Sequence, residues 1–228
     1  MNHIASLVVL YEDADIVVAD KPSGMIVHPA PGREEKALSD ELVRRYPEMK
    51  GVGSVERPGV VHRLDVETSG VMVFARNQRS YLALRREFES HRSVEKTYLA
   101  VVHGRPEKLC GTLETQIGRR SGKKKMRVTE TGGQNAITHW RTLSRKGTVS
   151  LVEFKIETGR THQIRVHAAY LGCPIVGDRL YGDAAKDAKL RRRPTRLLLH
   201  AVELAFPHPV DGGRVSFMAE VPPEIIYV

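Results

Sequence analysis

Three side chains in separate parts of this 228-residue chain are of types that could do chemistry together. Asp65 stands in the run His62-Arg63-Leu64-Asp65, followed by Glu67-Thr68-Ser69-Gly70. Tyr98 lies in Glu95-Lys96-Thr97-Tyr98, and Arg165 in Gly159-Arg160-Thr161-His162-Gln163-Ile164-Arg165. A carboxylate can act as nucleophile or base, but burial silences it unless a cation lies against it. Each residue also has a plain reading. Asp65 could cap a turn through Thr68 and Ser69, Tyr98 could pack in a core with its hydroxyl tethered, and Arg165 could be a surface group.

The flanking sequence says how these groups would be positioned. Val60-Val61 and Val71-Met72-Val73-Phe74 read as short buried strands bounded by Pro58-Gly59 and Ser69-Gly70, so Asp65 would sit in a loop on a rigid base. Upstream, 7–10 and 16–19 are β-prone, and Asp20-Lys21-Pro22-Ser23-Gly24 is a turn leading to 25–29. Lys21 could contact phosphate or face solvent in that turn. Residues 37–46 read as a helix burying Leu38, Leu42 and Tyr46 and stopped by Pro47. Residues 79–91 read as a second helix, with Tyr81, Leu84 and Phe88 on its core side. Strands are expected over 95–102, 135–143, 149–156, 197–201 and 215–219. A helix is expected from the Thr158-Gly159 entry to about Leu171, with Ile164, Ala168 and Leu171 as its buried stripe and Gly172 as its stop.

Composition narrows the partner. Lys and Arg outnumber Asp and Glu by 36 to 27, a formal charge of +9, which favours a polyanion. Nucleic acid leads; an anionic membrane surface lacks the strongly apolar amphipathic helix it would need. The densest basic run, Arg119 to Arg127, holds Lys123, Lys124, Lys125 and Arg127 and reads as a hairpin tip suited to phosphate; Arg191-Arg192-Arg193 is a second candidate within a poorly periodic basic stretch, 186–196. Cys110 and Cys173 form no CxxC, so neither a disulfide scaffold nor a zinc site is expected. No signal peptide and no membrane-spanning run is apparent, and a cytoplasmic protein is expected. There is no P-loop and no GxGxxG.

The motifs converge on one family. HRLD followed by ETSG resembles the central motif of the RluA family of pseudouridine synthases, and "DKPSGMIVHP", "EKTYLAVVHG", "GRTHQIRVH", "GCPIVGDRLYG" and "LLLHA" resemble its other segments. The resemblance runs from about Val9 to about Pro209. Val66 departs from it where a basic residue is common, as does Arg76 where Lys is common. It implies an α+β pseudouridine synthase fold: a bent, largely antiparallel or mixed sheet flanked by helices, as one catalytic domain over 1–228. Many relatives carry an N-terminal S4 domain; here the first motif starts almost at once, so the catalytic domain alone is expected. The implied reaction isomerises uridine within structured RNA, ribosomal or transfer, with the large-subunit ribosomal kind slightly preferred. It needs no metal and no cofactor, and a monomer is expected.

By the same resemblance, Asp65 is the indispensable catalytic group, Arg165 pairs with it, and Tyr98 packs against the target uracil. Arg63 fills the space the flipped base leaves, and Leu198 or Leu199 walls the uracil pocket. Further RNA contacts are expected from His62, Lys21, Arg160, His162 and the two basic clusters. Two other readings compete: an inactive RNA-binding module, and an Asp-dependent hydrolase. The hydrolase would ordinarily need a second carboxylate, for which Glu67 is the only nearby acid.

Overall fold

The computed structural model describes residues 7–29, 36–119 and 125–226. The chain forms two compact units, one comprising residues up to Glu95 together with Ala201–Glu220, the other Lys96–His200 together with the segment from Val221.

The first unit opens on β1 (Val8–Glu12) and β2 (Ile16–Lys21), joined by the acidic turn and paired antiparallel. Next come α1 (Leu38–Arg45), a 3₁₀ turn (Pro47–Met49), β3 (Ser69–Ala75) and α2 (Gln78–Ser90). Every residue of β3 is buried, as the unbroken apolar run requires of a strand covered on both faces. It pairs antiparallel with β2 from Ile16↔Ala75 to Lys21↔Gly70. Leu38, Leu42 and Tyr46 of the first helical segment are buried as expected, as are Tyr81, Leu84 and Phe88 of the second. The side chain of Asn77 caps α2 by accepting from Ser80 N, and His91 ends it in the left-handed region.

The second unit is built on an antiparallel sheet: β4 (Glu95–His103, whose first residue belongs to the first unit), β5 (Cys110–Arg119), β6 (Met126–Thr129), β7 (Gln134–Lys146) and β8 (Val149–Ile156). These pair in the order β4-β8-β7-β5-β6. Then follow α3 (Gln163–Tyr170) and the short α4 (Ala184–Lys189). The strand β9 (Leu199–Pro207) begins in this unit and runs into the first, where it neighbours β3 and pairs antiparallel with β10 (Arg214–Met218). The chain returns to the second unit in α5 (Pro223–Ile226). Among the described residues no helix is long and apolar enough to cross a membrane.

Four sequence expectations are revised. Val60-Val61 is not a strand: Val60 makes a single bridge to Phe74. Ser69-Gly70 is not a turn but the start of β3. The stretch 186–196 is partly helical, because Asp183 accepts from Ala185 N and Lys186 N and so caps α4. Finally, α3 has no single buried stripe. Gln163 through Ala168 are all buried, Arg165 among them, while Leu171 is half-buried.

Candidate active site

Asp65 is half-buried in the loop between Pro58 and β3, and the loop is held at several points. Lys21 is fully buried, and its ammonium donates to the carbonyls of Pro22 (2.9 Å), Met25 (2.8 Å) and Val66 (3.0 Å). Gly24 N–H also donates to Val66 O at 2.8 Å, and the Ser23 hydroxyl to Glu67 O at 2.6 Å. The DKPSG turn therefore grips the two residues that follow Asp65. Neither reading of Lys21 survives: it faces neither solvent nor phosphate, because three backbone carbonyls surround its charge. Within the loop, Thr68 N donates to Asp65 O at 3.1 Å.

On the other side, His62 Nε2 accepts from Val73 N at 3.1 Å, and the imidazole stacks on Phe88 at 4.5 Å between centroids. That bond requires the tautomer protonated at Nδ1. One edge and one face of His62, expected to meet RNA, thus tie the loop to β3 and α2. Leu64 is buried beneath it, whereas Arg63 is exposed. Two glycines make the close packing possible. A β-carbon at Gly59 would overlap Ala75 O, and one at Gly70 would overlap the Ala201 backbone; φ is +70° and +122° at these positions.

Replacing Lys21 by Met should therefore loosen the Asp65 loop. Val66 O keeps its bond from Gly24, but the Pro22 and Met25 carbonyls lose a charged donor inside the protein. A loss of about 3 kcal/mol in stability is expected, read as a lower urea midpoint at constant slope. An unchanged midpoint would show that the ammonium is dispensable.

In the second unit Arg165 is 4% exposed. Its Nε and Nη2 donate to the two carboxylate oxygens of Asp178, both at 2.8 Å, a bidentate pair that fixes the guanidinium plane. Asp178 Oδ1 also accepts from Leu180 N (2.8 Å) and Tyr181 N (2.9 Å). Burial pushes the Asp178 carboxyl up, but Arg165 and the two amides outweigh it and hold the group below the usual carboxylate range. The guanidinium also lies over the Tyr181 ring at 5.3 Å. The Tyr181 hydroxyl accepts from Met126 N and bonds His162 Nδ1, each at 2.9 Å. His162 occupies the left-handed region just before α3. In the sequence GCPIVGDRLYG stood only as a segment resembling the family's, with no role for Asp178 or Tyr181; the signal available was an acid and an aromatic closing that segment.

Arg160 is half-buried and donates from Nε to Asn135 O at 2.8 Å. Lys96, beside it in the electrostatic sense, is buried and pushed down to about 8, by burial first and then by Arg160. The base of α3 is a further polar network. Gln163 Nε2 donates to Thr138 Oγ1 at 2.9 Å, and that hydroxyl also bonds His167 Nδ1 at 2.8 Å. His167 Nε2 bonds Thr115 Oγ1 at 2.9 Å. Burial pushes His167 down to about 4.

Because the unfolded chain takes up this proton near pH 6.5 and the folded one only near 4, stability is lost as pH falls from about 6.5 to about 4, by about 3 kcal/mol in all. A His167→Gln variant should show a correspondingly flatter acid limb in urea titrations at stepped pH. Equal limbs for parent and variant would assign the acid sensitivity elsewhere.

Tyr98 is buried on β4 opposite Phe154 of β8. Its neighbours Leu99 and Val101 point to the other face, where they pack with Val149, Val176 and Ile225. Leu198 belongs to that same cluster, whereas Leu199, also buried, opens β9. Lys125 and Arg127 are exposed at the start of β6, with the Lys125 ammonium 5.2 Å from the Tyr181 ring centroid, and Arg191, Arg192 and Arg193 are exposed after α4. Lys123 and Lys124 lie outside the described residues.

The motif residues thus form two clusters, an Asp65 loop clamped by the opening turn and an Arg165 held by Asp178. The RNA pseudouridylate synthase family model matches residues 15–170, a span that contains the Asp65 loop and Arg165 and ends before Asp178. The chain belongs to this family. An uncharacterized RNA pseudouridine synthase of Synechocystis sp. is 39% identical over 217 residues, covering 94% of this chain and 65% of that protein. The ribosomal large subunit pseudouridine synthase D of Zymomonas mobilis is 38% identical over 225 residues, covering 96% and 70%. This chain accordingly spans about two thirds of the length of these relatives. The structure of human RNA pseudouridylate synthase domain containing 1 superposes with a TM-score of 0.78 at 28% identity, over 96% of this chain and 85% of that one. The α+β pseudouridine synthase fold and the RluA-type motifs agree with these matches.

Proposed function

We propose that this chain isomerises uridine to pseudouridine within structured RNA, with Asp65 as the catalytic carboxylate. The observation that carries the reading is the Asp65 loop: an acid of the family's central motif, set on a fully buried strand and clamped through Val66 O and Glu67 O. The reaction breaks the N1–C1′ bond, turns the uracil and joins C5 to C1′. C5 loses its proton and N1 gains one, so neither redox change nor net hydrolysis occurs. An ionised carboxylate serves whether it adds to the base, attacks the ribose or takes the C2′ proton.

Arg165 is proposed as its cationic partner, Tyr98 and Leu199 as the walls against the uracil, and Arg63 as the group that occupies the space of the flipped base. Flipping costs a few kcal/mol, and an exposed planar guanidinium suits that space. Because the motif residues come from both units, we take the two as one catalytic domain, acting as a monomer in the cytoplasm. Arg160, His162 and the clusters 123–127 and 191–193 are assigned to phosphate contacts. Large-subunit ribosomal RNA is the preferred target, supported by the name of the Zymomonas relative. Mapping pseudouridines in total RNA from cells with and without the gene tests this. Loss of sites confined to transfer RNA would move the target, and loss of none would refute the activity.

A further inference from the structure

Away from the Asp65 loop, the second unit holds a cleft of about 260 Å³ between α4 and residues 193–196. Three guanidiniums line it: Arg179, Arg193 and Arg196. Its remaining walls are mostly small residues, with no aromatic among them. Pockets for small organic ligands are usually ~300–1,000 Å³ and mainly apolar. This one is smaller and cationic, which suits a compact anion.

Charge bookkeeping around the cleft points the same way. Its one acid, Asp187, is turned into the fold: its Oδ1 bonds the buried His103 Nε2 at 2.7 Å, and the carboxylate accepts from Gly177 N at 3.2 and 3.3 Å. Arg196 donates from Nε to Glu224 at 2.7 Å. Arg179 and Arg193 are exposed, and neither makes a side-chain hydrogen bond or ion pair among the described residues. Two guanidiniums sharing a concave wall repel each other until an anion comes between them, and a guanidinium matches phosphate oxygens two at a time. Arg191 and Arg192, exposed next to Arg193, extend the positive surface beyond the cleft, as a polymer of phosphates would require and a single small anion would not.

We propose that this cleft is a docking site for one backbone phosphodiester of the RNA substrate, held by Arg179 and Arg193 with Arg196 as its fixed wall. The proposal rests on the RNA-modifying reading for the identity of the anion. The cleft contributes affinity and register, not chemistry.

The test compares three proteins binding a labelled large-subunit ribosomal RNA transcript over a range of salt: the parent, Arg179→Ala/Arg193→Ala, and Arg86→Ala/Arg92→Ala. The last pair, exposed on and just after α2, removes the same charge elsewhere. The cleft variant should lose roughly tenfold in affinity at low salt, and its slope of log affinity against log salt should flatten by about 1. The control should shift the slope less. Arg179→Lys/Arg193→Lys should restore the slope, since the charges return, but only part of the affinity. An unchanged slope in the cleft variant, or an equal change in the control, would overturn the proposal. If the parent itself bound no RNA, the functional reading would fall and this site with it, whereas failure of the cleft variant alone to differ leaves that reading standing.

Discussion

Asp65→Asn should bind RNA with the parent's affinity and release no tritium from C5-labelled uridine, even at single-turnover concentrations of enzyme. The amide keeps the volume of the carboxylate and the Thr68 N–H bond, which is made to the Asp65 backbone carbonyl and not to its side chain. Nor does the substitution touch the clamp, because Lys21, Gly24 and Ser23 all bind backbone oxygens of Val66 and Glu67. The loop should therefore keep its shape, and the missing charge should account for the whole effect. Losing an essential nucleophile or base from a preorganised site ordinarily costs ~10⁴-fold or more. Turnover within tenfold of the parent would refute the catalytic assignment.

The largest effect on stability should come from Asp178→Ala. That carboxylate is fully buried and satisfies two guanidinium donors and two backbone amides at once. Removing it takes the bidentate carboxylate from a buried guanidinium and the acceptor from two amides, which costs ~3–5 kcal/mol. Urea unfolding at pH 7 reads this directly. Arg165→Met strands the opposite charge, and the two variants should part company with pH. Asp178 is held below its ordinary range by Arg165, so the pair's contribution is present at neutral pH and is lost as pH falls through that depressed value. Without Arg165, the carboxyl protonates at higher pH, so the gap between Arg165→Met and parent should narrow on acidification. Asp178→Ala has no carboxyl to protonate, so its gap should hold down to the ordinary carboxylate range and narrow only below it, as the parent itself loses the pair. Parallel curves for both variants would show that the pair is not what stabilises this region.

What the sequence disclosed and what it hid divide along physical lines. The strand Ser69–Ala75 and both helices of the first unit were readable, because an unbroken apolar run or a one-sided stripe is a local pattern. The strands Cys110–Arg119 and Met126–Thr129 were not, since they carry half-exposed polar residues with little alternation. The helix at 163–170 was seen, but its faces were assigned wrongly: it is buried nearly all round, so no stripe marks an inside. Six-residue α4, with nothing buried, offers no periodicity at all. At the site, motif wording picked out Asp65, Tyr98 and Arg165. It could not show that Lys21 is interior, because one of its partners is a backbone carbonyl 45 residues away and carbonyls leave no trace in residue type. Asp178 went unnoticed for a related reason, as an acid beside an arginine in a loop looks like any solvated pair.

The first unit is built from two separated pieces of chain, and that has a consequence for how it is made. The clamp made by Lys21, Ser23, Gly24, Val73 and Phe88 lies within the first ninety residues, so it can form soon after the loop's own sequence leaves the ribosome. Its strand is not complete at that point. One neighbour, β2, is already present, but the other, β9, is encoded more than 120 residues later, and Gly70 waits for the backbone of Ala201. At ~5–20 residues per second that interval lasts several seconds or more. Throughout it the nascent chain presents an apolar strand with one bare edge, the kind of surface that recruits foreign strands. Stalled or truncated products ending before Leu199 should consequently be the aggregating species, and supplying residues 199–220 as a separate peptide should keep them in solution.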